Sequence, residues 1–206
     1  MVSIQTIQNQ DQLKELFQFF ARTFYEDAII HQEHYFTMGE RYEEMRKQFC
    51  MDPDLLMYVE VDGKIIAGLT GKGMDLEHKK ITLSVLAVDP DYRRKGYAKD
   101  LINEFEKRCI KKGIQHLDLG AHFRACPIYL SLGYHPSLMV QVFDFVSVED
   151  VRKENQFHLK EKSSWQSDVY GFIFFEVDEV KETYIQWLEQ HVKTAHAQYV
   201  FEKELF

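Results

Sequence analysis

Residues 93–99 read Arg-Arg-Lys-Gly-Tyr-Ala-Lys and form the stretch from which the fold can be predicted. They follow an apolar run that ends at Val88 and a turn at Asp89-Pro90, and an amphipathic helix is predicted to begin at Gly96. A helix start offers unpaired backbone N–H groups and the positive end of the helix dipole, and glycine lets a ligand approach the backbone closely. With four basic residues and no acidic residue between them, the stretch predicts a seat for a phosphate group.

The composition predicts a globular chain of one domain, or a core with an extension. The chain has 206 residues and is 45% hydrophobic and 28% charged, so it can bury a core without disulfides or metal ions. Its formal net charge of −8 argues against binding to nucleic acid or to an anionic membrane, and it suits a cationic substrate such as an amine. In such an acidic chain, a cluster of basic residues indicates a specific role for this stretch.

The cysteines and the N-terminus predict a cytoplasmic protein. Cys50, Cys109 and Cys126 are odd in number and lack the spacing of zinc ligands, so we expect free thiols, a reducing compartment and no metal site. Residues 1–12 have no signal-peptide core, and no apolar run is long enough to cross a membrane.

Hydrophobic periodicity predicts a mixture of strands and helices, which is an α/β or α+β sheet fold. The predicted strands are Val2–Ile7, Leu55–Val61, Lys64–Gly71, Lys80–Val88, Gln115–Leu119, Ser137–Val146 and Val169–Val177. The predicted helices are one from Asp11 to Phe24, followed by Glu40–Cys50, Gly96–Lys112, Ala125–Leu132 and a closing helix from Glu179 to about Phe201. Two stretches have no predicted element, the aperiodic Tyr25–Met38 and the polar Glu149–Asp168.

Two motifs resemble those of the GCN5-related N-acetyltransferase (GNAT) superfamily. Arg93-x-x-Gly96-x-Ala98 matches its (Gln/Arg)-x-x-Gly-x-(Gly/Ala) signature, between a strand and a helix. Residues 125–134, Ala-Cys-Pro-Ile-Tyr-Leu-Ser-Leu-Gly-Tyr, resemble its second motif, in which a Tyr is followed four residues later by Gly and an aromatic residue. The resemblance is specific over residues 80–136 and holds by element order over residues 1–147.

The resemblance implies a GNAT core over residues 1–147, with residues 148–206 as a C-terminal extension, a strand plus a closing helix, packed on that core. The implied fold is a mixed, mostly antiparallel, twisted sheet flanked by helices. In it the strand ending at Val88 splays from the strand at Gln115–Leu119. Acetyl-coenzyme A is the implied co-substrate, with its pantetheine arm in that gap and its diphosphate on the N–H groups of residues 94–98.

The resemblance also implies a set of cofactor-binding residues: Leu86, Ala87, Val88, Arg93, Arg94, Lys95, Gly96, Tyr97, Ala98, Lys99, His122 and Ala125. We expect backbone contacts from Arg93, Arg94 and Lys95 and side-chain contacts from one or two of them, although charge runs are commonly solvated surface. Lys99, one helical turn after Lys95, is a further candidate for a cofactor contact. His122 departs from the Asn or Arg that many relatives carry there. Arg124 is a candidate for the ribose phosphate or for the surface, and Cys126 is interpreted as a small packing residue.

Tyr129 is the candidate general acid, because in many relatives a Tyr at this position stands near the cofactor sulfur. A phenol with a pKa of about 10 can deliver a proton to a leaving thiolate whose thiol has a pKa of about 8.5. The alternative is a core tyrosine that only packs its helix. The strand Lys80–Val88 carries no carboxylate. The general base is therefore left open among a water relay and the side chains of Glu77, His78, Ser84, Asp118 and Asp144.

These observations predict an acyltransferase that moves an acetyl group from acetyl-CoA directly to an amine in a ternary complex. The acceptor is a small-molecule or peptide amine. In folds of the resembled family a helix–loop–helix stretch forms the wall of the acceptor site, and aromatic residues there are more often core than ligand contacts. In this chain that stretch contains Phe24, Tyr25, His31, His34, Tyr35 and Phe36. One alternative is a non-catalytic GNAT-like module that binds acyl-CoA as a sensor or partner domain. Another alternative is an interaction protein that binds its partner through the predicted Glu179–Phe201 helix. Whether the chain forms a homodimer is left open.

Overall fold

The computed structural model of the chain describes residues 3–31, 39–143 and 145–206, without side chains at residues 30, 31, 39 and 40. The strands are β1 (Ile4–Thr6), β2 (Leu56–Val61), β3 (Lys64–Asp75), β4 (Lys80–Val88), β5 (His116–Ala121), β6 (His135–Phe143), β7 (Glu161–Gln166), β8 (Tyr170–Glu176) and β9 (His196–Glu204). The helices are α1 (Gln10–His31), α2 (Gly39–Met51), α3 (Tyr97–Lys111), α4 (Cys126–Ser131), α5 (Val148–Lys153) and α6 (Glu182–His191). The predicted fold class, a mixed and mostly antiparallel sheet flanked by helices, is confirmed.

The chain forms two compact units. The first contains the described residues up to Leu117 together with Glu204–Phe206, and the second runs from Asp118 to Lys203. The domain boundary after residue 147 and the splay between the two central strands stay predictions. No described helix combines the length and the apolar character needed to span a bilayer.

In the first unit, β1 to β4 pair in sequence order, each strand antiparallel to the next. Helices α1 and α3 cover opposite faces of these strands. Gly68 and Gly71 of β3 are three positions apart, so Cβ atoms at these two positions would point to opposite sides of the sheet. A Cβ atom on Gly68 would lie 2.6 Å from Leu16 of α1, and one on Gly71 would lie 2.9 Å from Phe105 of α3. Glycine at both positions therefore lets the two helices pack close to the sheet.

Local sequence signals predicted the first unit well, except at the end of α1. The Asp62-Gly63 hairpin turn has φ angles of 50° and 74°, the left-handed geometry that a two-residue connection requires. The sequence shows no periodicity after Phe24, yet α1 continues to His31. Its buried face continues through Thr23 and Ala28, which are too polar or too small to register in a search for large apolar residues.

In the second unit, β8 pairs with both β6 and β7, and β6 pairs also with β9, all antiparallel. The predicted helix over Glu179–Phe201 is wrong in its second half, because α6 ends at His191 and β9 follows. Ala197, Tyr199 and Phe201 are buried and their neighbours are more exposed, which is the period of two expected for a strand with one covered face. The polar stretch Glu149–Asp168, for which no element is predicted, contains most of α5 and all of β7. Every residue of β7 is exposed, so the sequence of this strand shows no alternation of apolar and polar residues.

Candidate functional site

The basic glycine loop has the backbone geometry of an anion-binding concavity. It starts from a short 3₁₀ turn, Pro90–Tyr92, and Arg93 is extended. Arg94 and Gly96 then adopt left-handed conformations, with φ angles of 61° and 93°. Residues that alternate between the two hands of backbone conformation turn successive N–H groups toward one side, which creates a nest for an anion.

Helix α3 begins directly behind this loop, as the sequence predicted. Gly96 is its N-cap residue, and the first intrahelical hydrogen bond is donated by the Asp100 N–H to the Gly96 carbonyl at 3.0 Å. No side chain in the described part of the chain caps this helix start. The N–H groups of the first turn therefore keep their hydrogen-bonding capacity for a ligand, and the helix dipole favours an anionic one.

The basic side chains of the loop divide into two pairs. Arg93 forms an ion pair with Asp27. The ammonium group of Lys95 donates a hydrogen bond to the Asp91 carbonyl at 3.0 Å and lies 4.7 Å from the centre of the Tyr92 ring. Arg94 and Lys99 are exposed, and within the described part of the chain neither forms a hydrogen bond or an ion pair through its side chain. The prediction that one or two basic side chains contact the cofactor stays a prediction, and Arg94 and Lys99 are the two whose charges pair with no described carboxylate.

Strand β4 contains a β-bulge four residues before Val88. Thr70 of β3 lies opposite Val85, but the next residue, Gly71, lies opposite Leu83, so Ser84 is an extra residue in β4. A bulge leaves its extra residue unpaired with the neighbouring strand and redirects the strand locally. The Ser84 carbonyl instead accepts a hydrogen bond from Nη1 of Arg41 in α2 at 3.2 Å. Sequence reasoning found Ser84 as a possible water holder but missed the bulge and its partner.

The second motif lies in the second unit. His122 caps a short 3₁₀ turn, its ring Nδ1 accepting from the Arg124 N–H at 3.3 Å, and Ala125 precedes α4. Tyr129 is buried, with ring centres 5.7 Å from Tyr134 and 5.4 Å from Phe201. Burial raises the pKa of Tyr129 well above its usual value. The phenol therefore stays protonated at physiological pH, which is the form that a proton donor requires.

The other described candidate residues lie in the β3–β4 turn, in β5 and in α1. Glu77 and His78 lie in the exposed β3–β4 turn, where the His78 ring nitrogen contacts Asp75 Oδ2 at 2.8 Å. Asp118 is half-buried in β5, Phe24 is half-buried and Tyr25 is exposed in α1. The side chain of His31 and all of His34, Tyr35, Phe36 and Asp144 lie outside the described residues.

A cavity of about 580 Å³ lies in the first unit, next to α1 and the turn before the glycine loop. Its charged lining consists of the carboxylates of Glu26, Asp89 and Asp91 with the cations Arg22 and Lys64. Three carboxylates face two cations in this lining, and Arg22 pairs with Asp89 at 3.6 Å, so the cavity carries no excess of positive charge. A negatively charged diphosphate is therefore better suited to the N–H groups of the loop than to this cavity.

The three cysteines differ in reactivity, and this can be tested. Cys50 is exposed, whereas burial raises the pKa of Cys109 to about 12 and that of Cys126 to about 11, which agrees with a packing role for Cys126. Because the thiolate is the reactive form, we expect iodoacetamide to modify only Cys50 in the folded protein near neutral pH. Intact-mass spectrometry should give one adduct before unfolding and three after it, and a second adduct on the folded protein would contradict this expectation.

The sequence profile of the acetyltransferase (GNAT) domain matches residues 19–155, which is more than half of the chain. The chain belongs to the GNAT family. The matched range contains both the glycine loop and Tyr129. In this GNAT chain, 76 residues are 34% identical to an acetyltransferase of Yersinia pestis (strain Pestoides F), covering 37% of the chain and 52% of the relative. The chain thus spans about half the length of such curated relatives.

Solved structures give the same fold family. A GNAT-family acetyltransferase from Staphylococcus aureus Mu50 has a TM-score of 0.52 at 14% identity, covering 84% of this GNAT chain and 99% of the other. N-acetylglutamate synthase from Neisseria gonorrhoeae, solved with coenzyme A and N-acetyl-glutamate, has a TM-score of 0.50 at 12% identity, covering 100% of this chain and 35% of that one. At such identities the likeness concerns the fold.

Proposed function

We propose that this GNAT chain is an N-acetyltransferase that uses acetyl-CoA and transfers the acetyl group directly to an amine. The observation that carries the proposal is the glycine loop, where the left-handed Arg94 and Gly96 precede a helix start that no described side chain caps. Such a backbone binds a diphosphate through N–H groups, without a metal ion. Membership of the GNAT family supports coenzyme A as the molecule that carries this diphosphate.

The cofactor-binding residues named from the sequence stay part of the proposal, with distinct roles. The backbone of Arg93 begins the loop, residues 94–98 contribute N–H groups, and Arg94 and Lys99 contribute exposed positive charge. Leu86, Ala87 and Val88 contribute backbone groups to the pantetheine arm, as an added strand would use them. His122 and Ala125 are proposed contacts of the same cofactor.

The reaction needs one bond to form and one to break. The neutral amine attacks the acetyl carbonyl carbon, a backbone N–H near Val88 stabilises the oxyanion, and the carbon–sulfur bond then breaks. The thiolate takes a proton from the Tyr129 hydroxyl, and the amine nitrogen loses a proton. A free alkylamine has a pKa of about 10.4, so the loss of its first proton limits the rate near neutral pH. Solvent water is the proposed acceptor, since β4 carries no carboxylate, and solvent returns a proton to the Tyr129 phenolate after the thiol leaves.

The second candidate function is a module that binds acyl-CoA but transfers nothing. The observation in its favour is the same lack of a carboxylate on β4 between Lys80 and Val88. Free cysteine thiols suit the reducing cytoplasm for either function. The acceptor of the enzyme is proposed as a small-molecule or peptide amine, because the net charge of −8 favours a cation.

Two measurements separate these candidates. Titration calorimetry with coenzyme A tests the loop, and saturable binding is expected for both functions. Free-thiol release from acetyl-CoA, followed with a panel of small amines and peptides, tests transfer. Amine-dependent thiol release would establish the enzyme, binding without release for any amine would favour the module, and absence of binding would reject both.

A further inference from the structure

We infer that Asp27 is a positioning residue for the coenzyme A loop, acting through Arg93 rather than on the cofactor. The inference rests on the proposed function and assigns a role to α1 within it. It also reassigns Arg93, whose side chain serves the protein scaffold while its backbone begins the loop.

The contact between the two side chains is bidentate. Arg93 Nη1 donates to Asp27 Oδ1 at 2.8 Å, and Arg93 Nη2 donates to Asp27 Oδ2 at 2.7 Å. Both side chains are partly buried, with exposed fractions of 36% for Arg93 and 25% for Asp27. The planar guanidinium matches the carboxylate with two parallel hydrogen bonds, so the pair fixes orientation as well as distance.

The same guanidinium also holds the end of β4. Arg93 Nε donates to the Val88 carbonyl at 3.0 Å, so one side chain ties α1 to both the strand end and the loop. Arg93 is the extended residue directly before the left-handed Arg94. Fixing its side chain therefore fixes the peptide from which the nest of N–H groups begins.

A second contact from α1 reaches the start of the same segment. Arg22 pairs with Asp89 at 3.6 Å, and Asp89 caps the 3₁₀ turn by accepting from the Asp91 N–H at 3.1 Å. Arg22 has an exposed fraction of 55%, and such exposed pairs contribute little. The Asp27–Arg93 contact is thus the stronger of the two, and it is the one that the test addresses.

The alternative role for Arg93, direct contact with a phosphate group, predicts a result of opposite sign. If Arg93 bound phosphate, removing the Asp27 charge would free the guanidinium and leave affinity unchanged or tighter. If Asp27 positions the loop, the same change weakens binding. Lysine at position 93 keeps the positive charge but cannot form a bidentate contact, so it should weaken binding on either reading.

The experiment measures the dissociation constant of coenzyme A for Asp27→Asn, Arg93→Lys and the double variant. We expect each single change to weaken binding about five- to tenfold and the double change to add little, since both remove one interaction. In the transfer assay the KM for acetyl-CoA should rise by a similar factor with kcat nearly unchanged. Glu26→Gln, one residue away on α1, is the matched control and should bind as the unchanged protein does.

The outcomes are distinguishable from failure of the proposed function. Circular dichroism at the assay temperature establishes that each variant is folded, and binding is compared only among folded variants. Should Asp27→Asn refold poorly, Asp27→Ser decides instead, because it also removes the carboxylate and the phosphate-contact role predicts unchanged or tighter binding for it. Unchanged or tighter binding by a folded Asp27→Asn would overturn the inference, whereas no binding by the unchanged protein would overturn the function.

Discussion

Replacing Gly96 with alanine should weaken coenzyme A binding about tenfold. Gly96 has a φ angle of 93°, and a residue with a Cβ atom is strained in the left-handed region by about 1–2 kcal/mol. A Cβ atom there would meet no protein atom within 4 Å, so a clash inside the protein is not the cause. The free loop relieves the strain by leaving the left-handed conformation, and coenzyme A must restore it. A cost of about 1.4 kcal/mol then appears as a tenfold loss of affinity.

The matched control lies at the other end of the same helix. Gly113 follows α3 with a φ angle of 81°, and a Cβ atom there would also meet nothing within 4 Å. Gly113→Ala should therefore destabilise the protein to a similar extent but leave coenzyme A binding unchanged. Titration calorimetry together with thermal unfolding of both variants checks this difference. Equal affinity in Gly96→Ala and the unchanged protein would contradict a diphosphate seat at the loop.

Elements with local signals could be predicted from the sequence. The Asp62-Gly63 turn, strand β4 and the start of α3 depend on residues close to each other in the chain, and the structure has them where the pattern indicated. The glycine loop belongs to the same class, because its chemistry comes from consecutive backbone groups. Family membership and fold followed from these local patterns.

Features that depend on distant residues could not be predicted. Asp27 and Arg93 are 66 positions apart, and nothing in either local sequence indicates the other. The bulge at Ser84 depends on the register of β4 against β3, which a single strand does not encode.

The misassigned C-terminal helix has a different cause. Apolar residues at helical spacing up to Val192 indicated a helix, and the prediction continued that period too far. From Ala197 onward the apolar period changes to two, and this change was present in the sequence. Here the signal existed, and the boundary between two periods was missed.

Replacing Tyr129 with phenylalanine should lower turnover by about 100-fold or more while leaving coenzyme A affinity within a factor of two. Phenylalanine keeps the ring that packs against Tyr134 and Phe201, so the fold of α4 should survive. What is lost is the hydroxyl proton, and general acid catalysis contributes roughly 10²–10⁴ in rate. Thiol release under saturating acetyl-CoA measures the first effect and calorimetry the second. Tyr134→Phe is the control, because it removes a neighbouring hydroxyl and should leave turnover unchanged.

The raised pKa of Tyr129 fixes the expected pH dependence. Burial disfavours the phenolate, so the pKa lies above the usual value of about 10 and the hydroxyl keeps its proton throughout the assay range. We therefore expect the rate to rise with pH as the amine loses its proton, with no alkaline fall below about pH 10. A fall in kcat between about pH 8 and pH 9, absent from Tyr129→Phe, would mean that Tyr129 ionises far more easily than its burial implies.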